Sequence, residues 1–265
     1  MNHASPRSIL CVPGSSERML HKAFSSPLVE TVDEVVIDLE DAVLPADKDA
    51  ARDLAVRFLQ AHRGAVRVNG VGTPWIDDDL AAVGELASSI VLPKVEAAAD
   101  VEYVGRPVQA LIESAIGLVR LEDICRTSNL IGLIIGYADL SASLHRRTVS
   151  PDQWRPAQEH VLWAARARGV QAIDGPHLGV HVDEEFTASV EHAARAGFDG
   201  KWVIHPAQLE VVNRAFSPSE AEVEWAQRVV AALDGAGAVQ LDGRMLDEAV
   251  AVSARRVLAR ASVAS

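Results

Sequence analysis

The stretch Leu130-Ile131-Gly132-Leu133-Ile134-Ile135-Gly136-Tyr137-Ala138-Asp139 decides how the rest of the chain is read. Its first six residues are apolar almost without interruption rather than alternating, which marks a strand covered on both faces, as in a parallel sheet. The run then breaks into glycine and, three residues later, a carboxylate. Further runs of the same kind lie at 9–12, 34–39, 65–68, 89–92, 107–112, 170–173 and 201–204. Between them are segments with helical spacing and helix punctuation. One spans 49–61, with Leu54, Phe58 and Leu59 on one face and Gly64 beyond it; another spans 153–168 between Pro151 and Gly169; a third, 184–196, stops at Gly197. Eight strands alternating with helices predict an α/β fold, a closed (β/α)8 TIM barrel forming a catalytic domain over 1–216. An open doubly wound sheet is the other architecture such alternation allows. After the first strand, however, Val12-Pro13-Gly14-Ser15-Ser16 carries one glycine and not the dinucleotide fingerprint of that fold.

Beyond Phe216 the pattern changes. Ser217-Pro218-Ser219-Glu220 reads as a helix start, 221–233 as a long helix and Gly235-Ala236-Gly237 as its break. The last piece, 243–261, has apolar positions at helical spacing. A C-terminal helical extension over 217–265 is therefore expected, its apolar stripe packing on something, with a neighbouring subunit the candidate.

Composition narrows the function. Of 265 residues, 49% are hydrophobic and 23% charged, which is ordinary globular usage and leaves no room for a disordered or fibrous chain. The net charge of −12, without a basic tract, makes nucleic acid a poor partner. No apolar run is long enough to span a membrane, and residues 1–8 lack the apolar stretch expected of a signal peptide. Two cysteines, Cys11 and Cys125, cannot form a disulfide framework and suit a reducing compartment, so a cytoplasmic location is expected. Both cysteines read as buried packing, and Trp163, Trp202 and Trp225 as core or interface residues.

In a parallel barrel, polar residues just past the strand ends face one mouth. Those positions hold Asp38, Glu40 and Asp41, then Arg67 and Asn69, then Lys94 and Glu96, then Glu113, Asp139, Asp174 and His205. Glu113 and Asp139 close neighbouring strands, so their carboxylates should project side by side. A hard cation such as Mg²⁺ takes one or two carboxylates and completes its shell with water and substrate oxygens, and a 2-oxo acid offers two such oxygens. Either acid could instead cap a helix. Arg67 suits a substrate carboxylate, since its fork matches two oxygens, or it could pair with Asp38 or Glu40. Lys94 could bridge to Glu96 or Glu113, and Asn69 could orient a ligand or cap the turn. His205 could act as a base, although a histidine at such a junction more often bonds to backbone.

Taken as an ordered set, these strand ends resemble a known family. Arg7-Ser8-Ile9-Leu10-Cys11-Val12-Pro13-Gly14, Asp38-Leu39-Glu40-Asp41-Ala42-Val43 with Lys48, Arg67-Val68-Asn69 and Leu92-Pro93-Lys94 are followed by Glu113-Ser114-Ala115-Ile116-Gly117 and Gly136-Tyr137-Ala138-Asp139-Leu140. Ala172-Ile173-Asp174-Gly175-Pro176 and Gly197-Phe198-Asp199-Gly200-Lys201-Trp202-Val203-Ile204-His205-Pro206 complete the set. Together they resemble the citrate lyase β-subunit-like family within the HpcH/HpaI aldolase superfamily. The resemblance implies a carbon–carbon lyase that uses Mg²⁺ to cleave or form a 3-hydroxyacyl-CoA such as citryl-, malyl- or citramalyl-CoA, giving an acyl-CoA and a 2-oxo acid. It also implies a homotrimer or dimer of trimers. A malyl-CoA-type thioesterase and a citrate lyase β subunit dependent on an acyl carrier protein are the alternatives it leaves. By motif, Glu113 and Asp139 fall on the metal ligands and Arg67 on the residue that holds the oxo acid, with backbone amides near Ala138 and Asp139 on its carboxylate. Gly243-Arg244-Met245-Leu246-Asp247 resembles the tail segment whose aspartate reaches a neighbouring subunit's site, which makes Asp247 the candidate for handling the proton. Arg18 and Lys22 are candidates for the coenzyme A phosphates. Two positions depart from the pattern: Ile116 stands where many relatives carry arginine, and Ala249 where a proline often follows the tail aspartate.

Overall fold

A computed structural model describes residues 5–25, 31–147, 151–235 and 237–262. Strands β1 (Ser8–Pro13), β2 (Glu34–Asp38), β3 (Ala65–Arg67), β4 (Ile90–Leu92), β5 (Val108–Ile112), β6 (Leu130–Ile135), β7 (Gln171–Asp174) and β8 (Gly200–Val203) follow one another round a closed barrel. Every pairing is parallel, and β8 closes on β1 through Ser8 opposite Lys201 and Leu10 opposite Val203. The closed sheet excludes the open doubly wound alternative.

Each strand sends alternate side chains inward. Ile9, Val36, Ala65, Val91, Leu111, Ile134, Ile173 and Trp202, one from each strand, meet as a single buried cluster that plugs the barrel. Two residues further along the strands, the interior positions carry Cys11, Asp38, Arg67, Glu113 and Ile204, together with the glycines Gly136 and Gly175. The mouth is therefore built on the same parity as the core, one layer higher.

Helices α1 (Glu17–Ser25), α2 (Lys48–Leu59), α3 (Ile76–Val83), α4 (Ala98–Val104), α5 (Ala115–Val119) and α6 (Leu121–Ile124) link the first six strands. A short helix α7 (Tyr137–Ser143) precedes α8 (Arg155–Arg168), and α9 (Glu184–Ala196) leads to β8. The helix expected from 49 starts one residue earlier, at Lys48, and α8 and α9 end at Gly169 and Gly197 as expected.

The chain divides into two compact units, one over Pro6–Asn213 and one built on Arg214–Ser265. The second holds α11 (Glu220–Ala232) and α12 (Glu248–Ala261), which follow α10 (Leu209–Phe216). Ala226, Val229, Leu246 and Ala254 form its own small core. Ser219 starts α11 in a capping box with Glu222. The tail is not helical from 243, as its spacing suggested. Val239–Leu241 (β9) and Arg244–Leu246 (β10) pair antiparallel, and the turn residues Asp242 and Gly243 both take positive φ. An Asp-Gly pair adopts that conformation readily, and the hairpin shortens the helix to begin after Asp247.

Candidate active site

The mouth is a cluster of charges held by other charges. Asp38, fully buried at the end of β2, receives Arg67 Nε at 2.8 Å and Nη2 at 2.6 Å, while its oxygens also accept the backbone N–H groups of Glu40 and Ala42. This fork pins the guanidinium, and its Nη1 lies against Glu40 Oε2, so Arg67 pairs with both Asp38 and Glu40. Burial opposes the charge on Arg67, but Asp38 outweighs it and holds the pKa well above the ordinary value. Behind the pair, Lys48 Nζ donates to the carbonyls of Leu39 and Glu40 and to Asn69 Oδ1, and Asn69 in turn donates to Asp79. Asn69 and Lys48 thus brace the β2 and β3 ends, and Asn69 takes a structural part in place of a ligand-orienting one.

Lys94 bridges two carboxylates, though not with its ammonium on Glu96 or Glu113. Its Nζ sits 2.5 Å from Glu40 Oε1 and 3.6 Å from Asp41, while its backbone N–H donates to Glu113 Oε1 at 2.8 Å. Lys94 holds φ at +55°, a left-handed conformation that costs a non-glycine residue energy and that collects at functional sites.

Glu113 is buried, and it does not cap the helix that follows. Ser114 does, accepting the Gly117 N–H at 3.0 Å. Burial first, then the charges of Asp139 and Glu40, push the Glu113 carboxyl up to about 8. A Cβ at position 136 would lie 2.4 Å from Glu113 Oε2, so Gly136 is the residue type that leaves the carboxylate its place beside Asp139. Burial also raises Glu40, whose Oε2 lies 3.2 Å from Arg67 Nη1 yet forms no hydrogen bond.

These features fit a hard cation. Asp38, Glu40, Asp41, Glu113 and Asp139 outnumber Arg67, Lys94 and Lys48, one buried carboxylate oxygen accepts no hydrogen bond, and one carboxyl is pushed up by burial and by its acidic neighbours. No cluster of three or more His, Cys, Asp or Glu side chains with metal-binding geometry occurs among the described residues. Two carboxylates completed by water and substrate oxygens are the donor set of Mg²⁺, which seldom takes a full protein cage.

The other candidates fall elsewhere. Asp174 closes β7 but points away from the mouth, because Ile173 takes the interior position; it lies against buried Lys201 and receives Gln158 Nε2 of α8 at 3.4 Å. His205 Nδ1 accepts the Ala207 N–H at 3.2 Å, the backbone role. Cys125 is buried, and burial together with Asp38 raises the Cys11 thiol far from the thiolate range. Trp202 is core and Trp225 packs in the second unit, whereas Trp163 is two-thirds exposed on α8. Arg18 and Lys22 are exposed one turn apart on α1, and Ala138 is exposed beside half-buried Asp139. In the second unit, Asp247 caps α12 by accepting the Val250 N–H at 3.2 Å. The motif around Asp139 gives no role to Tyr137, although a tyrosine opening the helix that bears Asp139 is a signal in itself.

The fold and mouth define a (β/α)8 enzyme whose buried carboxylates and arginine suit metal-assisted chemistry on an anionic substrate. Residues 7–206 match the model of the HpcH/HpaI aldolase/citrate lyase family. The chain belongs to that family, and the citrate lyase β-subunit-like resemblance holds. It is 39% identical to a (3S)-malyl-CoA thioesterase of Cereibacter sphaeroides, the alignment covering 96% of this chain and 94% of that one. It is 32% identical to the citrate lyase subunit beta of Leuconostoc mesenteroides, over 97% and 93%. Among solved structures, the protein CitE of Mycobacterium tuberculosis in complex with magnesium, acetoacetate and coenzyme A matches with a TM-score of 0.84 at 33% identity, covering 99% of this chain and all of that one. No helix among the described residues is long and apolar enough to cross a membrane.

Proposed function

We propose that the protein is a Mg²⁺-dependent carbon–carbon lyase that cleaves, or forms, a 3-hydroxyacyl-CoA of the citryl, malyl or citramalyl type. The observation that carries this reading is the raised Glu113 carboxyl beside Asp139 and across from the braced Arg67. Glu113 and Asp139 would hold the metal, which supplies Lewis-acid stabilisation for negative charge developing on a substrate oxygen. In cleavage, the 3-hydroxyl loses its proton, the C2–C3 bond breaks, C3 becomes the carbonyl of the 2-oxo acid, and C2 takes up a proton to complete the acyl-CoA. Arg67 exchanges its contact with Glu40 for the oxo-acid carboxylate at Nη1, with Asp38 fixing its angle, and adds positive charge where the oxyanion grows. Asp247, supplied by a neighbouring copy in a homotrimer or dimer of trimers, delivers the proton to C2. Arg18 and Lys22 take the coenzyme A phosphates, and backbone amides near Ala138 contact the oxo-acid carboxylate. The cytoplasm suits both the substrate and the free thiols.

Asp247→Asn is the sharpest single test, because asparagine caps a helix as well as aspartate does. Unchanged thermal stability with lost turnover is the expected result; unchanged turnover would remove Asp247 from the reaction. A second reading, hydrolysis of the malyl-CoA thioester, is favoured by the 39% identity to a thioesterase. An absolute need for an added carrier protein in the assay would instead make the chain a carrier-dependent citrate lyase subunit.

A further inference from the structure

Helix α7 carries Asp139, yet little intrinsic to α7 explains why it forms. It is seven residues long, too short to be stable alone, and Gly136 at its N-cap supplies no side-chain hydrogen bond. Its far end is tied to the neighbouring strand–helix junction, where Ser143 Oγ accepts the Ala115 N–H at 3.0 Å. Its near end is tied by its first residue. The Tyr137 ring packs against Trp154 with centroids 5.0 Å apart and lies over the backbone of Gly175, where an added Cβ would come within 2.8 Å of Tyr137 Cδ2. Its hydroxyl donates to Asp174 Oδ1 and receives Gln158 Nε2 at 2.7 Å. Asp174 is itself immobilised, since its other oxygen takes the buried Lys201 ammonium, which also donates to the Gly175 carbonyl at 2.8 Å. His192 on α9 reaches Gln158 Oε1 at 3.1 Å and completes the set.

We propose that Tyr137 is a positioning residue for Asp139, its hydroxyl locking the start of α7 to the Asp174–Lys201 pair behind the barrel wall so that the carboxylate two residues on faces Glu113. The inference rests on the reading of Asp139 as a metal ligand and adds to it the part of the molecule that sets its angle. The Asp174–Lys201 pair thereby has a purpose on the side of the sheet away from the mouth. Partners that orient a metal ligand typically carry about 10–100-fold in metal affinity. Tyr137 acts through backbone, so about tenfold is expected.

The test is calorimetric titration of Mg²⁺ into the full-length protein and into Tyr137→Phe, Asp139→Asn and Tyr103→Phe, with thermal stability recorded for each. Tyr103→Phe removes another tyrosine–aspartate bond, the exposed one to Asp77, and serves as the control for losing such a contact. Tyr137→Phe is expected to weaken Mg²⁺ about tenfold, with turnover recovering at saturating Mg²⁺, while Tyr103→Phe binds as the parent does. An unchanged Mg²⁺ affinity in Tyr137→Phe, with Asp139→Asn strongly weakened, would overturn the positioning role and leave the metal site standing. An unchanged affinity in Asp139→Asn would overturn the metal site itself. Gln158→Met, which removes the other hydrogen bond on the hydroxyl, shifts affinity in the same direction if the proposal holds and serves if Tyr137→Phe does not fold.

Discussion

Asp38 and Asp174 each end a barrel strand, each is buried, and each is paired with a buried or nearly buried cation, yet they face opposite sides of the wall. Asp38 follows Val36 by two and so points into the mouth; Asp174 follows Ile173 by one and so points toward α8. Inside, the Asp38–Arg67 pair stands among further carboxylates, with Glu40 on the third guanidinium nitrogen. Outside, Asp174 and Lys201 are enclosed by Tyr137, Gln158 and the Gly175 carbonyl. Oppositely charged pairs at the same place along a strand thus face the mouth in one case and the surrounding helices in the other, and strand parity decides which.

Four measurements test whether the two sides differ in this way. Glu113→Gln, on the mouth side, should reduce Mg²⁺-dependent turnover by more than the roughly 100-fold that loss of a mere supporting partner costs, and Arg67→Met by about 10²–10³-fold. Circular dichroism of both should match the parent. Arg67→Met also strands buried Asp38 and should lose stability as well, whereas Glu113→Gln should not; Lys201→Met, on the bracing side, should show the reverse balance of Glu113→Gln. It strands a buried carboxylate and should cost about 3–5 kcal/mol in urea unfolding, while folded enzyme keeps more turnover than either mouth variant. If Lys201→Met lost activity with no loss of stability, the two pairs would not differ in kind.

The third concerns protons. Burial and its acidic neighbours push the Glu113 carboxyl up to about 8, so a cation that needs it ionised must displace a proton at lower pH. Mg²⁺ affinity measured between pH 6 and 9 should therefore rise by up to about tenfold per unit below pH 8 and level off above it. A flat profile would mean that Glu113 is already ionised. The smallest effect belongs to the second unit, where Ser219→Ala removes the cap of α11 and should cost about 1 kcal/mol without moving Mg²⁺ affinity.

The strands were legible because each is an apolar run bounded by turns, and β6 shows why: six residues from Leu130, five of them buried, with no room for a helical stripe. Glu113, Asp139 and Arg67 were legible as types at strand ends. What Arg67 touches was not, since pairing with Asp38 depends on two strands meeting in register. Position at a strand end places Asp174 with the mouth residues, and only parity counted from the apolar layer at Ile173 separates it. The hairpin of β9 and β10 was hidden by apolar residues that also suit a helix, although Asp242-Gly243 carried the turn signal. Asp79, fully buried under Asn69 and Arg52, gave no sign in a run of three aspartates.

A mouth that breaks a carbon–carbon bond releases a 2-oxo acid, whereas one that hydrolyses a thioester does not. The direct measurement is the product ratio when purified protein, Mg²⁺ and malyl-, citramalyl- or citryl-CoA are incubated and resolved by mass spectrometry. One molecule of 2-oxo acid for each molecule of acetyl- or propionyl-CoA, abolished by chelation of the metal, is the expected result. Free coenzyme A with the intact hydroxy acid, and no oxo acid, would contradict it and make the protein a thioesterase.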